Sequence, residues 1–133
     1  MEENYSTFRP YTFVASVVIP NFNRAFQTAA QKQTQANQTL IACALERYRL
    51  ARGQYPESLQ ALTPHFIDRI PHDIINGEPL KYRRTAAEEF QLYSVGWNET
   101  DDGGIAGSCD DGTMEMAHGD WTWPPVLKTT SAR

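Results

Sequence analysis

The sequence predicts an α+β fold, a long N-terminal helix packed on a small antiparallel sheet of three to four strands. Three observations lead there. Residues 21–52 place apolar or small side chains three or four apart, the period of one helix face. Residues 79–84 and 90–95 alternate in character across a connector short enough for a hairpin. Residues 120–123, DWTW, supply a last strand with Trp121 and Trp123 on one side. At 133 residues the chain makes one domain with a modest core.

In chain order, residues 1–10 are polar and expected to be loose. Residues 11–19, YTFVASVVI, are apolar. They read as a buried helical turn, an edge strand, or the remnant of a longer membrane segment. A bilayer crossing takes about 20 apolar residues, so this run alone does not span. Pro20 either opens the long helix or kinks it. The helix stripe is Phe22, Phe26, Ala29, Ala36, Leu40, Ala44 and Tyr48, with Gln33 as the polar interruption. Its second half, with Leu40, Ile41, Ala44, Leu45 and Tyr48, is expected to pack on the sheet, and its first half to stand clear. Arg47, Arg49 and Arg52 suit the negative end of the helix dipole, and Gly53 a left-handed stop.

Beyond Gly53, Pro56 opens a short helix with Leu59 and Leu62 facing inward. Pro64 ends it, and Phe66, Ile67 and Ile70 anchor an irregular segment that closes at Pro71. Residues 72–77, HDIING, form a turn in which Asp73 is expected to cap the backbone. Residues 96–119 read as one long loop. The division is a segment at 1–20, a globular domain at 21–125 and a tail at 126–133.

The formal net charge of −4 argues against nucleic acid, which needs clustered Lys and Arg; Arg83-Arg84 reads as a solvated face. Cys43 is expected to be a buried thiol beside the helix stripe, and a disulfide to Cys109 stays open. His65, His72 and His118 lack metal-ligand spacing. Nor is there a phosphate loop or nucleophile elbow, so an enzyme is not expected. The two Asp-Asp-Gly triplets at 101–103 and 110–112 read as tight turns. Trp97, Trp121, Trp123, Tyr82 and Tyr93 make either core packing or a binding shelf.

The order of elements resembles the major pseudopilin of type II secretion systems, and pilin-like proteins more broadly. ALERYRLARGQYPESLQAL (44–62) is similar to that family's helix exit. VIPNF (18–22) resembles its junction between membrane helix and soluble part, HDIINGEPLKYR (72–83) its segment before the first strand, and FQLYSVG (90–96) its second strand. The resemblance covers roughly 18–104, then 120–123. It implies a structural, membrane-anchored extracytoplasmic domain for assembly or surface interaction, with protein partners or self-assembly. It also implies a calcium ion held by the side chains of Ser94, Asn98, Asp101, Asp102 and Asp120 and the Val95 carbonyl, a set of hard oxygens suited to that cation. The family's basic leader, processing site and glutamate-bearing apolar run do not occur in this sequence. The expectation is therefore a trimmed chain or the end of a longer one, with membrane contact only through a segment the sequence lacks. The alternative is a ligand- or partner-binding module ending a larger membrane-anchored bacterial protein.

Overall fold

The computed structural model describes residues 10–108 and 114–124, with backbone alone at 10–12, 108 and 114–117. Expectations for residues 1–9, Cys109, the 110–112 turn and the 126–133 tail lie outside the described residues.

One helix, α1, runs from Pro10 to Arg52. It continues through Pro20, so the helix does not open there. Asn21 donates a side-chain hydrogen bond to the Val17 carbonyl one turn back, 3.0 Å away. Residues 11–19 are helical, and the turn carrying Val14, Val17, Val18 and Ile19 is exposed. That excludes both the buried turn and the edge strand. Among the described residues no helix is long and apolar enough to cross a membrane. The helix ends as expected: Gly53 takes a positive φ of 81° and its N–H donates to the Arg49 carbonyl at 2.7 Å.

The buried face of α1 differs from the expected stripe. Gln31, Thr34, Gln38, Ile41, Ala44 and Leu45 point inward, while Leu40 is 51% exposed and Cys43 is exposed. Burial therefore begins with polar residues and turns apolar only at Ile41. Gln38 shows why polar residues are tolerated there, since its side-chain amide donates to the Trp121 carbonyl. The fit is incomplete. Thr34 Oγ1, Gln38 Oε1 and Trp121 Nε1 are buried without a hydrogen-bond partner among the described residues.

After α1, a 3-10 turn at Leu59–Leu62 buries both leucines. Strands follow at β1 (Lys81–Ala86), β2 (Glu89–Ser94), β3 (Ala106–Ser108), β4 (Met114–Gly119) and β5 (Trp121–Trp123). The main sheet has the order β1-β2-β5, antiparallel throughout, with Tyr82 opposite Leu92 and Leu92 opposite Trp123. β3 and β4 form a separate two-stranded ribbon. The expected 96–119 loop is thus half hairpin. Its Gly/Asp content hid the strands, and Ala106 pairs with Gly119 with a bulge before Ser108 meets Met114.

The core joins Ile41, Ala44 and Leu45 of α1 to Tyr55, Leu59, Leu62, Leu80 and Leu92, with Tyr48, Phe66, Tyr82, Phe90 and Trp123 packed around them. The C-terminal half of the helix clamps the sheet, as its apolar content dictates.

Candidate functional site

The loop between β2 and β3 is built around Asp120, which is 1% exposed. Its Oδ1 accepts the Asp102 N–H at 3.2 Å and its Oδ2 accepts the Gly104 N–H at 2.6 Å. Its own N–H donates to the Ile105 carbonyl at 2.8 Å. One carboxylate immediately before β5 therefore ties down a segment with few apolar anchors. Burial pushes the Asp120 carboxyl up from its ordinary range; the two amides oppose this, and the charges of Asp102 and Asp101 add to it.

Asp101 faces the sheet. Its Oδ1 accepts from the Tyr93 hydroxyl and the Gly103 N–H, each at 3.0 Å, and its Oδ2 lies 3.9 Å from Lys81 Nζ. The Gly103 amide, then Tyr93, holds the Asp101 carboxyl below the usual range. Asn98 accepts from the Thr100 N–H and donates to Asp102 Oδ2, both at 3.2 Å. Gln91 on β2 donates to the Gly103 and Gly104 carbonyls at 3.3 Å.

Of the expected calcium ligands, Asn98, Asp101, Asp102 and Asp120 thus come together around one loop. Ser94 and Val95 are buried at the end of β2. Ser94 Oγ accepts from the Gly96 N–H at 3.2 Å, and the Val95 N–H donates to Asp73 Oδ2 at 3.3 Å. Among the described residues no three His, Cys, Asp or Glu side chains form a group that could hold a metal ion. The oxygens are hard donors of the right kind, and several already accept hydrogen bonds from the loop itself.

Asp73 links the two halves of this region. As expected it caps its own turn, its Oδ1 accepting from the Ile75 N–H at 3.0 Å and its carbonyl from the Gly77 N–H at 2.8 Å. The bond from Val95 adds a tie to the start of the loop, which adjacent residues in sequence gave no means of foreseeing.

The aromatic set is divided. Trp121 is buried; Trp123 and Tyr82 pack on the core; Tyr93 bonds to Asp101; Trp97 is 38% exposed.

A second surface lies on α1. At about 100° per residue, Val14, Val18, Phe22 and Leu40 fall on the side roughly opposite Gln38, Ile41 and Leu45, with Phe26 on its flank. All five are exposed, Phe22 at 57% and Phe26 at 64%. Ala29 and Ala36 continue the row, also exposed. Leu40 borders an open cleft of about 1100 Å³ between the helix and the segment carrying Phe66, Ile70 and Ile74. Arg47, which donates to the Phe66 carbonyl at 3.1 Å, bridges the two walls.

Comparison with protein-family models and with curated proteins returns no match.

Proposed function

We propose that the chain is a non-enzymatic, pilin-like extracytoplasmic domain that works by assembly. Its outer helix face, with the adjoining cleft, packs on the corresponding helix of another subunit, a second copy in the simplest case. The observation that carries the reading is the two-sided helix. One side is consumed by the domain, while an apolar row on the other side is left in water. An exposed apolar row of this length on a charged protein marks an interaction surface, and the alanines at its middle allow close helix approach. The charge and histidine pattern gives catalysis no comparable support.

The test uses Cys43, which is exposed and falls on the same side as Leu40. With Cys109 replaced by serine, a spin label on Cys43 should lose mobility as concentration rises. The Phe22→Glu/Phe26→Glu variant should abolish that loss and leave thermal stability unchanged, because both rings are already solvated. A chain that stays monomeric at millimolar concentration, with a label equally mobile throughout, would sink the reading.

Calcium at Asn98, Asp101, Asp102 and Asp120 belongs to the same proposal. Its support is electrostatic: three carboxylates lie close enough that Asp101 and Asp102 raise the Asp120 carboxyl, with Lys81 the nearby cation. A cation would relieve that repulsion and, by binding only the folded state, raise the melting temperature. An equal melting temperature in calcium and in chelator removes the ion and leaves the two amides as the tie on Asp120.

A second reading, a ligand-binding module, is favoured by the exposed Trp97. It predicts a peptide or glycan whose affinity disappears in Trp97→Ala.

A further inference from the structure

The outer face of α1 repeats every seven residues. Ile19, Phe26, Gln33 and Leu40 take one position of the repeat. Phe22, Ala29, Ala36 and Cys43 take the other, each three residues further on, and Ala15 begins the series. The steps of four and three alternate without a break from residue 15 to residue 43, the spacing of the a and d seam of a coiled coil. Gln31, Thr34, Gln38, Ile41 and Leu45 keep the same spacing on the inner face, where the domain covers them. Where the two seams overlap they lie on opposite sides of the helix. The inner one is occupied. In the outer one Ala15 is partly exposed and the rest are exposed, Ile19 at 57%.

The composition of the outer seam suits a second copy of itself. Together its residues leave on the order of 700 Å² in water, close to the about 800 Å² that a standard interface takes from each partner. The flanking e and g positions from residue 18 to residue 39 hold Val, Ala, Asn and Thr with a single charge, Lys32. Two copies therefore meet there without like charges opposed, although each chain carries a net −4. Gln33 is the one strongly polar side chain in the seam. It both donates and accepts, so an identical glutamine opposite satisfies it. Parallel pairing sets a against a and gives it that partner. Antiparallel pairing would set it against a d residue, and those are alanine, phenylalanine or cysteine.

We propose that two copies of the chain join along residues 15–43 as a parallel, in-register, left-handed coiled coil, with Gln33 facing Gln33 and Cys43 facing Cys43. This rests on the assembly reading above and specifies its contact. A straight helix drifts about 20° per heptad from a seven-residue seam, so contact over this length winds the pair left-handed. The contact is two-fold and closes at the dimer. The inner faces, with their domains, point away from the partner helix.

The test is disulfide capture on the full chain with Cys109 replaced by serine, using oxidised glutathione as the oxidant, with sedimentation equilibrium over the same concentrations. Cys43 should cross-link to its copy at least tenfold faster than an exposed cysteine off the seam, Thr28→Cys in a Cys43→Ser/Cys109→Ser chain. The mass should stop at the dimer. Phe22→Glu/Phe26→Glu should remove both the dimer and the advantage of Cys43 while the thermal melt stays that of a folded monomer. Gln33→Leu should associate at least tenfold more tightly, because a polar a residue sets register at a cost in stability. Equal rates at 43 and 28 in a chain that associates would overturn the coiled coil and leave the assembly reading standing. So would a mass that grows past the dimer, or Gln33→Leu associating no more tightly. A chain that stays monomeric at millimolar concentration would overturn both.

Discussion

Asp120 orders the loop by accepting two backbone N–H groups with two different oxygens. Asparagine has the same shape and only one acceptor, so one of those amides would face an N–H₂ group. The expected cost of Asp120→Asn is about 1–2 kcal/mol, the usual penalty for stranding a buried donor, measured by urea unfolding. A second residue-scale consequence concerns Glu46. Hydrogen bonds from Arg49, then from the Tyr55 hydroxyl, hold its carboxyl down to about 2, against an ordinary value of 4.5. A depressed folded-state value stabilises the fold above the unfolded value and loses that stabilisation as pH falls through the folded one. Wild type should therefore outlast Glu46→Gln in thermal melts at pH 7, and the gap should close between pH 4.5 and pH 2. A gap independent of pH would show that ionisation of Glu46 contributes nothing.

At the level of elements, the β3–β4 ribbon depends on Gly119. Its φ is +75°, and a Cβ there would collide with the Gly107 and Ala106 backbone of the paired strand. Gly103 has a similar φ of +72° with open space around it. Gly103→Ala should therefore cost about 1 kcal/mol from conformation alone, and Gly119→Ala clearly more, with loss of the β3–β4 cross-strand amide signals. The contrast explains what could be read from the sequence. The helix, the β1–β2 hairpin and β5 announce themselves by period, because their apolar residues face a core. Ala106, Gly107 and Ser108 have no such pattern, since the ribbon they enter is held by backbone pairing and by fit around glycine. Leu40 misled for a related reason. Spacing alone sets it in line with Ala44, and only the tertiary fold reveals that Gln38, two residues earlier and on the other side of the helix, finds the Trp121 carbonyl and takes the inner place. Asn98, Asp101, Asp102 and Asp120 were expected together through the family resemblance rather than through spacing, since Asp120 lies 18 residues beyond Asp102. The bond from Val95 to Asp73 was not, because it joins positions 22 residues apart.

For the whole molecule, the 43 residues of α1 imply a rod about 65 Å long. Inward burial starts at Gln31, so the first half of the helix has little tertiary support. Helices without packing are marginal in water. Amide hydrogen exchange should accordingly fall steeply along the rod, fast over residues 13–29 and slowest over 41–48. Uniform protection along its length in dilute solution would show that the first half stands on its own. Protection of 13–29 that grows with concentration would instead locate the contact on which the assembly proposal depends.

The order β1-β2-β5, with Gln38 reaching Trp121 across 83 positions, has a further effect during synthesis. The sheet gains its third strand, and the helix its polar seat, only after residue 123 has left the ribosome. A nascent chain shorter than that carries a helix with an open polar flank, and premature termination before Trp121 yields a product unable to close its fold.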